Sequence, residues 1–218
     1  MLVSDIVGFA VLAALLTIVP GLDTALVLRS AIASGRRQGF ATALGINTGV
    51  WTWGAAASAG VAAILTASEV AFTVLRFAGA VYLIGLGATL LLGALRRRSI
   101  HPAASLGVAA AGRPNGPPDG ALRAWARGLT TNLLNPKVGV FYMAVLPQFI
   151  PQDSPHLAVG LLLATIHNAE GFAWFALLIS GVHLVRRWVA SSAFRRVTDT
   201  VTGGVLVTLG AALALARR

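Results

Sequence analysis

Residues 128–150 read GLTTNLLNPKVGVFYMAVLPQFI, an apolar run that is long enough to cross a bilayer and is interrupted by Asn135-Pro136-Lys137. Proline cannot donate to the helical ladder, and a charge near the bilayer centre costs roughly 2.5–3.5 kcal/mol on insertion scales. A second interruption, Pro20-Gly21-Leu22-Asp23, lies inside the run 6–28. Broken helices at corresponding positions of two halves indicate the midplane binding site of a transporter.

The composition predicts an integral membrane protein. The 218-residue chain is 56% hydrophobic and 11% charged, with a mean hydropathy of +0.79, whereas a soluble domain carries about 25% charged residues. Runs of about 20 apolar residues are typical of spanning helices. The sequence therefore predicts an all-α fold with six transmembrane helices, at approximately 6–28, 39–67, 70–95, 128–150, 157–183 and 197–216.

One change in composition divides the chain. Residues 96–124 begin with three arginines and continue through a stretch rich in Ala, Gly and Pro that has no apolar period, which favours a flexible linker. The linker separates a first three-helix repeat, residues 1–95, from a second, residues 125–218. An odd number of helices per half forces opposite orientations, so we expect a 3+3 inverted repeat with the first helix of each half broken at its proline.

The basic residues predict the orientation. The net charge is +10, and 13 of the 17 basic residues lie in the first, third and fifth loops between the predicted helices. The positive-inside rule then makes linker 96–124 cytoplasmic and places both termini outside; this distribution argues against nucleic-acid binding. The first apolar run lacks the basic region of a signal peptide before Ile6, so we expect it to be a helix that is not cleaved off. The chain has no cysteine, which excludes disulfides and thiolate metal sites.

Two opposite charges beside the breaks are the first candidate site residues. Asp23 follows Pro20 by three positions, and Lys137 follows Pro136 directly. We expect them to pair, because each neutralises the other's insertion cost. The alternatives are that Asp23 extends toward the cytoplasmic edge, that Lys137 forms a purely structural ion pair, or that Arg76 is the partner.

The second helix of each half carries a polar cluster at mid-depth. Asn47 and Thr48 lie in the first half, and His167, Asn168 and Glu170 lie in the second. His167 and Glu170 are three residues apart on one helical face, which suggests a proton relay. Structural hydrogen bonding is the plainer alternative, and a metal site would lack a third ligand at helical spacing.

Enzyme motifs are absent from the sequence. It contains no Gly-x-Ser-x-Gly elbow, His-Glu-x-x-His motif, phosphate loop or Gly-x-Gly-x-x-Gly fingerprint. We therefore expect neither an enzyme nor a bound cofactor, and ATP cannot drive the chain directly. A gradient-driven carrier and a passive pore remain, with an intramembrane enzyme using His167 as a further alternative.

With these motifs in hand, the chain resembles the LysE/RhtB superfamily of bacterial amino-acid exporters over essentially its whole length. The family's Pro-Gly-Pro motif corresponds to Pro20-Gly21-Leu22, in which the second proline is replaced. Its spaced glycines correspond to Gly45 and Gly49. The most specific likeness is Asn135-Pro136-Lys137, followed by Phe141-Tyr142 and Pro147-Gln148-Phe149.

The resemblance implies a secondary transporter in the bacterial inner membrane that exports an amino acid or a close derivative by antiport with protons. A cation-efflux protein or channel is the alternative. Because the charges of the expected site nearly cancel, neutral amino acids are favoured. Homo-oligomer formation is left open. The residues expected to bind substrate are Pro20, Gly21, Asp23, Asn47, Asn135, Pro136 and Lys137, and those expected to couple protons are Asp23, His167 and Glu170.

Overall fold

The structure is a computed structural model that describes residues 3–19, 21–67, 69–95, 120–182 and 192–215. All regular structure within these ranges is helical, which confirms the predicted all-α class. In chain order the α-helices are α1 (Val3–Ile18), α2 (Leu22–Ser34), α3 (Arg36–Ala67), α4 (Glu69–Leu95), α5 (Ala121–Leu133), α6 (Pro136–Val140), α7 (His156–Ser180) and α8 (Ser192–Leu215).

The helix is interrupted at both of the motifs that the sequence singles out. Between α1 and α2 the chain bends by 51°. Between α5 and α6 the helix stops at Leu133 and restarts at Pro136, whose fixed φ suits the first turn of a helix. After α6 the chain continues as a π-helical segment, Phe141–Val145, and a 3₁₀ turn, Leu146–Phe149. The second broken helix is therefore irregular over most of its C-terminal half.

Two described helical stretches, Arg76–Leu95 and His156–Ser180, are long and apolar enough to cross a membrane without a break. The bent pair of α1 and α2 makes a third span if it is counted as one, and Asp199–Leu215 is a shorter apolar helix.

The end of the expected linker needs correction. Helix α5 begins at Ala121, so residues 121–124 are helical rather than part of a flexible linker. The reason is that Ala124, Gly128 and Asn132 are buried at a spacing of four residues, which gives α5 a face that packs into the protein from its first turn. Residues 96–119 of the expected linker lie outside the described residues.

Three buried clusters hold the helices together. The first joins α1, α3, α7 and the π-helical segment around Phe9, Phe141 and Tyr142. The second joins α2, α3 and α7 around Val27 and Phe175. The third joins α4 to α8. The first two clusters meet at the helix breaks, and the cavity described below lies at that boundary.

Helices α3 and α5 approach each other so closely that only glycine fits at the contact. A Cβ on Gly45 would collide with the backbone oxygen of Trp125, and one on Gly128 would collide with the backbone oxygen of Thr42. Contacts of this kind let helix backbones pack directly. The close packing fixes the end of α5, and with it the second break, against α3.

Candidate functional site

A cavity of about 40 Å³ lies where the two helix breaks meet α3 and α7. At 10–15 Å³ per water centre, it has room for about three water molecules. Its walls come from both halves of the chain. The lining residues are Leu16, Thr17, Gly21, Asp23, Ile46, Asn47, Val50, Asn132, Asn135, Lys137, Val138, His167, Gly171 and Phe175.

Lys137 satisfies the carbonyl groups that the first break leaves open. The ordinary helical donor to the Leu16 carbonyl is the N–H of residue 20, and that residue is proline, which has none. The Lys137 ammonium donates to Leu16 O at 2.7 Å and to Val19 O at 2.9 Å. Two of its three N–H donors are thus used, and the third remains available at the cavity.

The second break is satisfied in a corresponding way from the first half. Pro136 likewise deprives the carbonyl four residues earlier, that of Asn132, of its helical donor. Trp53 Nε1 on α3 donates to Asn132 O at 3.3 Å, and the Asn135 N–H donates to it at 3.0 Å. Asn135 also caps α6, because its Oδ1 accepts the Lys137 backbone N–H at 3.1 Å.

Asp23 is held by Asn132. Asn132 is fully buried, and its Nδ2 donates to Asp23 Oδ2 at 2.8 Å. The other carboxylate oxygen, Oδ1, is buried and accepts no hydrogen bond of good geometry within the described part of the chain, although the Asn135 side chain lies near enough to stabilise the carboxylate. A buried carboxylate oxygen without a well-placed donor is costly, so this atom is a natural acceptor for a ligand.

Asp23 and Lys137, which the sequence predicts to pair, lie close enough to interact but do not touch. Both side chains line the cavity, and the ammonium acts electrostatically on the carboxylate. In the described residues, however, they form no direct ion pair, because the ammonium is turned toward the carbonyls of α1. Arg76, the alternative partner, does not line the cavity, and its guanidinium lies 4.9 Å from the ring centroid of Phe77.

His167 is hydrogen-bonded through both ring nitrogens. Nδ1 lies 2.9 Å from the Tyr142 hydroxyl and Nε2 lies 3.0 Å from Thr17 Oγ1. Both partners are hydroxyl groups, which can donate or accept, so the network accommodates either neutral tautomer. Glu170 does not line the cavity; it is half-buried, and its Oε2 has no hydrogen-bond partner among the described residues.

Most of the expected site residues come together at this cavity. Pro136 and Glu170 do not line it, and Pro20 lies outside the described residues. The expected residues that do line it are Gly21, Asp23, Asn47, Asn135, Lys137 and His167. Among the described residues, no group of three or more His, Cys, Asp or Glu side chains could hold a metal ion.

Sequence reasoning missed Asn132, Thr17 and Gly171, which also line the cavity. A signal for Asn132 was available, since an amide in an apolar helix one turn before Pro136 sits where the proline frees a carbonyl. Thr17 and Gly171 carry no such signal, because neither residue is unusual in a transmembrane helix.

The cavity has a polar side and an apolar side. The two breaks supply the carboxylate of Asp23, the ammonium of Lys137 and the amides of Asn132 and Asn135. The unbroken helices α3 and α7 supply a largely apolar wall. That wall consists of Ile46, Val50, Gly171 and Phe175, with the polar Asn47 and His167 among them.

The LysE type translocator family matches residues 14–217, and the chain belongs to that family. The resemblance drawn from the motifs is thereby confirmed. The protein is accordingly a transmembrane transporter, in agreement with its apolar helices.

Similar proteins extend over nearly the whole chain. The chain is 31% identical over 205 residues to a leucine efflux protein of Klebsiella pneumoniae, covering 93% of this chain and 91% of the relative. It is 31% identical over 201 residues to a leucine efflux protein of Salmonella typhimurium, covering 91% and 89%. A membrane protein of Bacillus subtilis, YrhP, is 28% identical over 206 residues, covering 94% and 96%. No solved structure matches the chain significantly.

Proposed function

We propose that the protein exports a neutral, zwitterionic amino acid across the bacterial inner membrane as a secondary transporter. The observation that carries this proposal is that one cavity contains both an unused hydrogen-bond acceptor and an unused hydrogen-bond donor. Asp23 Oδ1 is a buried acceptor without a well-placed donor, and Lys137 keeps one N–H after donating to two carbonyls. An amino acid presents an ammonium and a carboxylate about 3–4 Å apart, on the scale of bond lengths.

The two breaks suit the two ends of such a ligand. The ammonium would lie at Asp23, and the carboxylate would lie at Lys137 and at the backbone N–H groups that begin α2 after Gly21. With one acidic and one basic side chain, the site favours a ligand without net charge. The leucine efflux proteins among the relatives support a neutral substrate with an aliphatic side chain.

We propose that the six expected helices form an inverted repeat and that the halves rock about the cavity. Helix pairing supports this arrangement: α3 packs on α7 and α4 packs on α8, so that like helices of the two halves meet. The reciprocal capping supports it too, because Lys137 of the second half caps the first break and Trp53 of the first half caps the second. Linker 96–124 would be cytoplasmic and both termini external.

The size of the cavity is consistent with a closed conformation. Room for about three water molecules is less than the nine non-hydrogen atoms of leucine require. Substrate would therefore enter after the broken helices move away from α3 and α7, and the cavity would close around it.

We further propose that export is coupled to protons through Asp23, His167 and Glu170. Protonation of Asp23 would release the ammonium, and the chain Thr17–His167–Tyr142 provides hydroxyl and imidazole groups in hydrogen-bond contact. Glu170 lies near Tyr142 and interacts with it electrostatically. If this is right, Glu170→Gln will weaken transport driven by a pH gradient more than substrate exchange at fixed pH, and equal effects on both activities would contradict it.

Purified protein in proteoliposomes tests the function directly. We expect saturable exchange of labelled neutral amino acids, weaker exchange of lysine and glutamate, and loss of exchange in Asp23→Asn. Uncoupled ionic current without amino-acid exchange would identify a channel or cation-efflux protein instead. Chemical conversion of the substrate would point to an enzyme.

A further inference from the structure

Gly171 lines the cavity from an unbroken helix, although nothing in the packing requires a glycine there. It lies on α7 one turn after His167 and one turn before Phe175, and all three side-chain positions face the cavity. A Cβ built on Gly171 meets only Asn47 Oδ1, at an ordinary contact distance of 3.6 Å. Alanine would thus fit, and inside a helix it is intrinsically more favourable than glycine.

The space beside Gly171 belongs to the α3–α7 wall of the cavity, which is apolar except for His167 and for Asn47, whose Oδ1 is the nearest atom. Ile46 and Val50 on α3 and Phe175 on α7 form the apolar part of that wall, whereas the charged groups come from the breaks. A zwitterion held by its ammonium and carboxylate at the breaks must direct its side chain toward this wall. The missing Cβ at position 171 gives that side chain room.

The wall is also the fixed part of the site. Helices α3 and α7 are unbroken where they line the cavity, and they are in close contact farther along, where a Cβ on Gly160 would collide with the side chain of Ser58. The breaks supply the hinges, so the α3–α7 wall keeps its shape while the broken helices move. A wall that keeps its shape can discriminate between substrate side chains of different sizes.

We infer that Gly171 determines the size of the amino-acid side chain that the transporter accepts, with Phe175 closing the end of the same pocket. This inference rests on the proposed function. It assigns to Gly171 the selection among neutral amino acids, and it leaves recognition of the charged groups to Asp23 and Lys137.

The test compares labelled leucine with labelled alanine in proteoliposomes, as the ratio of their kcat/KM values for exchange. Gly171→Ala should lower the leucine-to-alanine ratio about tenfold, because one methylene in an apolar pocket is worth roughly 10–200-fold in discrimination. Gly171→Val should lower it further. Phe175→Leu places a smaller side chain at the closed end of the pocket, so the leucine-to-alanine ratio should rise.

Gly85→Ala is the matched control. Gly85 is exposed in the middle of α4, does not line the cavity and has open space around its Cβ position, so its ratio should equal that of the wild type. An unchanged ratio in Gly171→Ala, or an equal loss of both substrates, overturns the role of Gly171 while the proposed function stands. A wild-type protein that exchanges neither amino acid overturns both.

Discussion

Asn132 is the residue on which the position of the Asp23 carboxylate depends. It donates to Oδ2 from a fully buried position on α5, and hydrogen bonds to charged groups contribute about 1.5–3 kcal/mol. We expect Asn132→Leu to reduce export at least tenfold and to lower membrane abundance. Thr130→Ala is the matched control, because the exposed Thr130 hydroxyl bonds only within its own helix. Wild-type export by Asn132→Leu would show that Asp23 does not need this donor.

Lys137 gives a second prediction at this scale. Lys137→Met leaves the carbonyls of Leu16 and Val19 without their donor, at a cost of about 1–3 kcal/mol for each buried group, so we expect membrane abundance to fall. Because these bonds do not involve Asp23, the double variant Asp23→Asn with Lys137→Met should remain less abundant than the wild type. Complete recovery of abundance in the double variant would show that charge pairing, and not carbonyl capping, is what Lys137 provides.

The sequence identified the charged residues of the cavity but not their contacts. Asp23 and Lys137 are conspicuous because charges are costly in lipid. Neutral polar groups such as Thr17 and Asn132 cost little and occur in many helices. The direction of the Lys137 side chain could not be predicted, because its two carbonyl partners lie more than a hundred residues away in the sequence.

Helix boundaries were predictable where residues at the boundary itself end the helix. Pro136 deprives a carbonyl of its donor and Asn135 caps the next turn, so the second break follows from three consecutive residues. The π-helical form of the segment Phe141–Val145 was not predictable. Pro147 removes the helical donor to the Met143 carbonyl, but this does not specify the kind of turn. Phe141 and Tyr142 are fully buried against α1 and α7, which indicates that tertiary packing selects the wider turn.

The contact between α3 and α5 provides a prediction at the scale of elements. Gly45→Ala places a methyl group against the backbone of α5, and overpacking of this kind typically costs 1–3 kcal/mol. We expect a lower temperature of thermal unfolding in detergent, together with reduced export, because α5 carries Asn132. Gly85→Ala, with open space at its Cβ, should unfold at or above the wild-type temperature. Equal unfolding temperatures for the two variants would contradict the close packing.

For the whole molecule, the charge distribution predicts the topology. Because the native chain lacks cysteine, single cysteines are specific probes. In intact cells with the outer membrane permeabilised, an impermeant thiol reagent should leave Ser105→Cys unlabelled, since linker 96–124 is expected to be cytoplasmic. Gln152→Cys, in the exposed connection before α7 on the opposite side, should be labelled. The reverse pattern would invert the orientation.

The reciprocal capping of the two breaks also bears on how the protein is made. When the first three helices leave the ribosome, the carbonyls of Leu16 and Val19 lack the Lys137 donor until that residue has been translated. The Asn132 carbonyl, by contrast, also receives the Asn135 N–H of its own half. The first half therefore cannot complete the backbone bonding at its own break, and its maturation must wait for the second half. When the chain is divided within residues 96–119, the first fragment should be degraded when made alone and should be rescued when the second fragment is made in the same cell.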